Sequence, residues 1–419
     1  MGEHLPRLRS TLDVVPSPFP EQPGVVLRDP FGYSQDILLI PQPLLLTLAC
    51  LDGQHTELDA QVLLTRQGGG ELVFGDDIRR FVSLLDAKGF LETDVFFELR
   101  DRRHAEFGMA SVRGAAHAGS AYPESSQELR DRLDARFREA EASGPGEQGE
   151  IPDDRSLLAL AAPHVSPEGG WDSYTAAFRR IDPSLADRTF VILGTSHYGE
   201  PEKFGLTRKA FSTPLGTAET DQEMVGALAR AAPRSVVVED YCHAVEHSIE
   251  FQVVFLQHRV AAPVRILPIL CGPFADSLES GNPPESHPGV GEFFEALTEL
   301  ADRHGERLFW LLGVDLSHIG TRYGDRIGVQ AGQGPMSEIT VRDAERLETL
   351  CAGDRGRLFD LVRPGGDELK WCGFSPLYTF LAALSPLTEI TGRVLKYQQW
   401  NIDPASVVSF AALEFFERA

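Results

Sequence analysis

Three apolar runs in this chain have the composition of buried strands, and each is followed at once by a histidine. In a parallel α/β sheet the carboxyl ends of the strands share one edge, and ligands bind at that edge. We therefore expect the three imidazoles to converge there, an arrangement typical of a metal site. The histidines and their preceding runs are His164 after residues 157–163, His197 after residues 190–196, and His318 after residues 309–317.

Two further side chains suit the same site. Asp315 lies three residues before His318, and Cys372 opens a Cys-Gly pair later in the chain. A single histidine at a strand end is more often hydrogen-bonded than bound to metal, but 12 histidines in 419 residues rarely place three at equivalent positions by chance. Imidazole, thiolate and carboxylate together favour iron, copper or zinc over magnesium or calcium.

Composition narrows the range of partners. The net charge is −23, with 62 acidic against 39 basic residues, which argues against binding to nucleic acid or to an anionic membrane surface. No run of about 18 apolar residues suggests a membrane span, and the N-terminal residues do not resemble a signal peptide, so we expect a cytoplasmic protein. Five scattered cysteines without a CxxC pair encode neither a disulfide framework nor a zinc ribbon.

The chain is expected to hold two domains, residues 1–105 and 106–419. In the first, helical spacing over residues 41–50, 57–64 and 76–87 precedes a predicted strand at 90–99, which suggests a small winged-helix-like α+β module. The strings Leu51-Asp52-Gly53 and Gly89-Phe90-Leu91 resemble the small peptide-recognition domains that accompany peptide-modifying radical enzymes. A generic three-helix accessory domain is the alternative.

Residues 106–419 alternate helical and strand patterns, which predicts an α/β fold with a mostly parallel sheet flanked by helices. A helix is expected over residues 246–259, with Glu246 at its start, and a solvated loop over 143–150. From that helix, Glu246 and His247 are expected to line the pocket at the sheet edge.

Seven short motifs follow one another along the second domain. They are Ala118-Gly119-Ser120-Ala121-Tyr122-Pro123, Ala162-Pro163-His164, Gly194-Thr195-Ser196-His197, Thr213-Pro214-Leu215-Gly216, Glu246-His247-Ser248-Ile249-Glu250, Asp315-Leu316-Ser317-His318 and Cys372-Gly373. This order is the one seen in the Memo-like family, the second component of the AmmeMemoRadiSam system, and residues 113–419 resemble that family. Beside His164 the chain departs from the usual family pattern, which puts the substrate in doubt.

The resemblance implies a fold similar to that of LigB-type extradiol dioxygenases. It also implies that His164, His197 and Cys372 bind the metal, with Asp315 and His318 lining the same pocket. In that setting His318 would act as a general base or hydrogen-bond donor, and Asp315 would set its tautomer. A purely structural turn between Asp315 and His318 is the alternative.

Three functions fit these observations. The first is an oxidoreductase that uses iron or copper, because a thiolate softens the ligand set relative to two histidines and a carboxylate. The second is a non-catalytic protein that binds metal or holds a peptide for a radical SAM enzyme. Its partners would be that enzyme and a peptide or small-molecule substrate. The third is a zinc-dependent hydrolase, which is less favoured because the chain has no HExxH motif. Whether the protein is an enzyme is left open by the sequence.

Overall fold

The computed structural model describes residues 4–17, 19, 21–67, 74–142 and 155–418. The chain divides into two compact units, Met1–Met109 and Ala110–Ala419. The boundary expected at residue 105 falls inside the last helix of the first unit, and the loop expected at 143–150 lies outside the described residues.

The N-terminal unit begins with three short strands that form an antiparallel sheet in the order β1-β2-β3. Four helices follow, and their apolar faces close a core that includes Leu27, Ile40, Leu85 and Phe90. The elements are β1 (Asp13–Pro16), β2 (Gly24–Arg28), β3 (Ile37–Pro41), α1 (Leu45–Ala49), α2 (Glu57–Gln67), α3 (Gly75–Ala87) and α4 (Asp94–Met109).

The strand predicted at residues 90–99 is wrong, because α4 begins at Asp94. The aromatic and branched residues of this stretch suggested a strand, but the Thr93 carbonyl accepts a hydrogen bond from the Phe97 backbone and starts a helical turn. The sheet also precedes the helices rather than following them, so the winged-helix prediction is not confirmed. The resemblance of this unit to peptide-recognition domains stays a prediction, but residues 90–99 do not form the strand that could pair with a peptide.

The C-terminal unit is an α/β fold with a large mixed, mostly parallel sheet flanked by helices, as the sequence predicted. Its strands are β4 (Val112–Arg113), β5 (Arg155–Ala162), β6 (Thr189–Thr195), β7 (Phe204–Leu206), β8 (Ala210–Thr213), β9 (Gly216–Thr220), β10 (Val236–Val238), β11 (Val264–Cys271), β12 (Leu308–Gly313), β13 (His318–Gly320), β14 (Ile390–Asp403) and β15 (Ser406–Arg418). Its helices are α5 (Ser126–Ala142), α6 (Pro167–Phe178), α7 (Gln222–Ala231), α8 (Cys242–Val245), α9 (Glu250–Val260), α10 (Ala275–Ser280), α11 (Pro288–His304), α12 (Pro335–Cys351), α13 (Arg355–Val362) and α14 (Phe374–Leu384).

The order of the main sheet is β13-β15-β5-β12-β6-β11-β9-β8-β4, and β5, β12, β6 and β11 run parallel at its centre. All seven residues of β6 and all six of β12 are buried, which explains their continuous apolar sequence. Since β12 lies between β5 and β6, the chain leaves three adjacent strands at one edge. None of the helices in the described part of the chain has the length and apolarity that a membrane span requires.

Candidate functional site

The three adjacent strands β5, β12 and β6 position the predicted residues. His164 and His197 each lie two residues beyond the end of their strand, and Asp315 lies two residues beyond β12. Cys372 comes from the segment before α14, and its backbone carbonyl accepts a hydrogen bond of 3.0 Å from the Thr195 hydroxyl at the end of β6. Residues separated by up to 208 positions in the sequence thus meet at one edge of the sheet.

Four side chains of the types that bind transition metals come together at this edge. One ligand atom from each of His164, His197 and His247 lies within 4.8 Å of the others. The Cys372 sulfur is 3.3 Å from the Nε2 atom of His164. Two nitrogen atoms bound to one ion at about 2.0–2.1 Å are at most about 4.2 Å apart, so small ring movements would bring these donors into bonding range. His318, the third strand-end histidine of the sequence prediction, does not belong to this three-histidine group.

The rings of the cluster are held from outside by oxygen atoms. The Nδ1 atom of His164 donates to the Gly313 carbonyl at 2.9 Å, which leaves the lone pair of the neutral ring on Nε2. The Nδ1 atom of His197 is 2.9 Å from Glu246 Oε1, and the Nδ1 atom of His247 is 3.2 Å from the same oxygen. An oxygen partner on the far nitrogen is the usual arrangement around metal-binding histidines, because it fixes the tautomer and the ring orientation.

Glu246 is the carboxylate that orients two of the three rings. Its oxygens also accept hydrogen bonds from the backbone amides of His197 at 2.9 Å and His247 at 3.0 Å, and the residue is only 2% exposed. The helix expected over 246–259 is wrong in its first turn, because Glu246 has extended backbone and α9 begins at Glu250. Neighbouring residues in a helix do not face each other, so this break is what lets Glu246 contact the His247 ring.

The protonation states of the clustered histidines and of Cys372 depend on one another. Burial disfavours the charged form of His197, but the Glu246 carboxylate and hydrogen bonds with Cys372 and Glu246 raise the pKa of His197 well above its ordinary value. Burial, with repulsion from the other two rings, lowers the pKa of His164 well below that of a free histidine. Burial also raises the pKa of the Cys372 thiol, although His197 opposes this effect. A cation bound to the other nitrogen of His197 would replace the proton there and pair with the Cys372 thiolate, while the Nδ1–H group would still donate to Glu246.

Asp315 and His318 have different contacts from those the sequence suggested. The Asp315 carboxylate accepts a hydrogen bond of 2.9 Å from the His164 backbone amide and lies 3.5 Å from His164 Nε2. Burial raises the pKa of Asp315 to about 7. The Nδ1 atom of His318 lies 2.9 Å from the carbonyl of Leu316 and 3.2 Å from that of Lys370. Among contacts of the described residues, the expected Asp315–His318 hydrogen bond is absent, and these carbonyls set the His318 tautomer.

The sequence did not point to Asp343, whose carboxylate links two segments of the site by hydrogen bonds. This residue of α12 is fully buried, and its carboxylate accepts hydrogen bonds of 2.6 Å from Ser317 and 2.7 Å from the Trp371 indole. Ser317 precedes His318 and Trp371 precedes Cys372, so one carboxylate fixes both loops. In the sequence Asp343 lies within a highly charged stretch that is typical of a solvated helix face, and no local signal marks it as buried.

A cavity of about 810 Å³ opens beside the cluster. His197 and Cys372 contribute to its wall, while α10 and the start of α14 supply apolar side chains such as Leu278 and Phe374. Its volume lies within the range of small-molecule sites in proteins. The cluster can therefore be approached by a small molecule through this cavity.

Several known proteins are similar to this chain. A MEMO1 family protein of Aquifex aeolicus is 26% identical over 93% of this chain and 96% of its own length, so that similarity extends into the N-terminal unit. A MEMO1 family protein of Methanopyrus kandleri, MK0963, is 27% identical over 72% of this chain and 98% of its own length. A solved structure, the uncharacterized protein JW3007 of Escherichia coli K12, is 14% identical over 62% of this chain and 99% of its own, with a TM-score of 0.34, too low to support an argument. A sequence model described as Memo-like protein matches residues 113–414. The chain therefore belongs to the Memo-like protein family.

Proposed function

We propose that this protein binds one transition-metal ion through His164, His197 and Cys372, and that it acts as an oxidoreductase at that ion. The observation that carries the proposal is the orientation of the rings. The far nitrogen of each clustered histidine faces an oxygen atom, so the other nitrogen is the one left for a metal. The nearby Cys372 sulfur supplies the third ligand, a donor of a different kind.

The donor set fits iron or copper. Imidazole suits both metals, and a thiolate adds the soft character that copper(I) and thiolate-bound iron prefer over the oxygen-rich sites of magnesium and calcium. When bound, such a metal would supply one-electron chemistry. The protein would provide apolar side chains in the cavity wall, fixed ring orientations and a proton acceptor.

His318 is the residue we assign to proton transfer. Because carbonyl oxygens accept from its Nδ1 atom, the ring carries its proton there and has a lone pair on Nε2. Burial lowers the pKa of His318 to about 4, so the ring is neutral at physiological pH and is able to accept a proton. Asp315 would hold the backbone of His164 in place through its hydrogen bond to the amide.

Removal of any proposed ligand is expected to abolish tight metal binding. We expect His164→Ala, His197→Ala and Cys372→Ser each to weaken affinity for iron or copper by more than about 100-fold, beyond the loss typical of an outer partner. Metal content per chain after purification and dialysis, measured by elemental analysis, checks this. The far-ultraviolet circular dichroism spectrum of each variant should be unchanged, because the large apolar core does not depend on a metal.

The matched controls are His287→Ala, which removes an exposed histidine, and Cys351→Ser, which removes a cysteine away from the cluster. Both should keep the metal content of the unaltered protein. Retention of metal in the Cys372→Ser variant with loss in His247→Ala would contradict the assigned ligand set.

That contrary outcome would favour the second candidate, zinc-dependent hydrolysis. His247 supports it, because the ligand atoms of three histidines already lie within 4.8 Å of one another, and three histidines with an open position form a common catalytic zinc site. A bound zinc ion would lower the pKa of a water molecule at that position. The same elemental analysis identifies the metal and so separates the two candidates.

The state of His318 can be measured without a substrate. In metal-free protein its ring is expected to be neutral at pH 7, protonated on Nδ1, and to gain a second proton only near pH 4. Nitrogen-15 NMR of the imidazole rings reports both the tautomer and the titration, and His318→Gln identifies the resonance. A ring protonated on Nε2, or one that titrates near the ordinary histidine value of about 6.5, would remove the basis for the proposed role.

A further inference from the structure

A second cavity lies at the opposite edge of the sheet from the metal cluster. It has a volume of about 580 Å³ and lies between α7 and α11, near the amino ends of β11 and β12. Arg265 is the second residue of β11, whose other end is Cys271, and Arg307 directly precedes β12. Strands of six to eight residues span about 20 to 26 Å, so this cavity is well separated from the cluster.

Four arginines from four parts of the fold line this cavity: Arg230, Arg265, Arg303 and Arg307. Within the described part of the chain, none of these guanidinium groups has an ion pair or a hydrogen bond. The contrast with nearby Arg234 is clear, since its guanidinium binds Glu292 with an Nε to Oε2 distance of 3.0 Å. In a chain with a net charge of −23, partners of opposite sign are abundant, so a group of arginines without them is unusual.

Helix dipoles account for only part of this group. Arg230 lies in the last turn of α7 and Arg303 in the last turn of α11, where a cation stabilises the negative end of a helix. Arg265 belongs to a strand, and Arg307 ends a single three-residue 3₁₀ turn before β12, so neither lies at the end of an α-helix. The convergence of all four on one cavity therefore goes beyond helix capping.

The carboxylates at this cavity do not neutralise it. Asp221, Glu223 and Glu299 contribute to its lining, against four arginines. The Asp221 side chain is already engaged at the start of α7, where it accepts a hydrogen bond of 3.0 Å from the Met224 backbone amide. His304 adds a further group that binds anions when it is protonated.

The floor of the cavity is apolar. Met224, Leu228 and Leu300 line it, together with small alanine side chains that leave space between α7 and α11. Arginine binds phosphate through two parallel N–H groups, and several arginines at one cavity suit a ligand with more than one negative charge. We infer that this cavity binds a phosphorylated small molecule whose apolar part rests on the floor while its phosphates contact the arginines.

The test uses metal-free, full-length protein, with ATP and inorganic pyrophosphate as probes in isothermal titration calorimetry at 150 mM salt. We expect saturable binding of ATP with a Kd below about 1 mM and weaker binding of pyrophosphate, which lacks an apolar part. The double variant Arg265→Ala/Arg307→Ala should lose at least about tenfold in affinity for both probes. Since both residues are exposed, the fold should be unaffected, and tryptophan fluorescence checks this.

Two controls distinguish binding at this cavity from general attraction to surface charge and from binding at the metal cluster. Arg102→Ala/Arg208→Ala removes the same charge from exposed positions outside the cavity and should change affinity by less than about twofold. His164→Ala should bind ATP like the unaltered protein, because the inference does not depend on the metal cluster. The inference of a phosphate-binding cavity would be overturned by any of three results. These are no saturable ATP binding, equal losses of affinity in the two double variants, and loss of ATP binding in His164→Ala.

Discussion

Glu246→Gln is expected to weaken metal binding by about 10- to 100-fold while all proposed ligands remain in place. The native carboxylate accepts hydrogen bonds from both rings and both backbone amides of His197 and His247. A glutamine presents an amide N–H₂ in place of one of these acceptor oxygens, so at least one partner faces another donor. The loss of the carboxylate charge also removes a favourable interaction between this buried group and a bound cation.

Competition with a fluorescent chelator measures this affinity, with circular dichroism as the check on folding. The matched control is Glu279→Gln, which removes an exposed carboxylate from the wall of the 810 Å³ cavity. Among the contacts of the described residues, this carboxylate has none with the three histidine rings. We expect this control to change the affinity by less than about threefold. Equal affinities of the Glu246→Gln variant and the unaltered protein would show that Glu246 does not orient the metal-binding rings.

The part of the site that lies at strand ends could be predicted from the sequence. Buried parallel strands such as β6 and β12 appear in the sequence as continuous apolar runs, and a polar residue directly after such a run must lie at the sheet edge. That reasoning located His164, His197 and Asp315 without knowledge of the strand order. The α/β fold was confirmed, and the match of the Memo-like model to residues 113–414 confirmed the resemblance to that family.

Residues that reach the site from elsewhere could not be placed in this way. His247 lies in a break between α8 and α9, and the break depends on the extended backbone of Glu246, which local helical spacing does not reveal. Asp343 is buried because Ser317, Trp371, Tyr397 and Ser409 surround its carboxylate, and three of these lie more than 27 positions away. Such contacts depend on tertiary packing rather than on local sequence.

The error at residues 90–99 has a similar cause. Phe96 is buried and Phe97 is 40% exposed, an alternation that suits an edge strand as well as a helix. A short stretch with such a pattern does not decide between the two structures. The choice depends on the packing of α4 and on the turn that starts at Thr93, neither of which periodicity measures.

Replacing Glu250 by alanine is expected to lower the free energy of unfolding by about 3–5 kcal/mol. Its carboxylate pairs with Arg113 and also binds the Tyr122 hydroxyl and the backbone amides of Ala116 and His117, at 3.1 and 3.0 Å. Both charged side chains are at most 1% exposed. Without Glu250, the Arg113 guanidinium would stay buried with no charged partner, which is the costly outcome for a buried ion pair.

Urea denaturation followed by tryptophan fluorescence measures this loss in the C-terminal unit alone, because Trp171, Trp310, Trp371 and Trp400 all belong to it. The control Arg113→Met/Glu250→Met removes both charges and should recover part of the lost stability.

The Arg113–Glu250 ion pair also makes the stability depend on pH. Burial alone would raise the pKa of Glu250, but the charges of Arg113 and His117 lower it. The ion pair therefore stabilises the fold above the unfolded value of about 4.3 and is lost as pH falls through the lower folded value. Glu250→Gln should lack this part of the acid dependence; an unchanged acid dependence, or a double variant less stable than Glu250→Ala, would contradict this account.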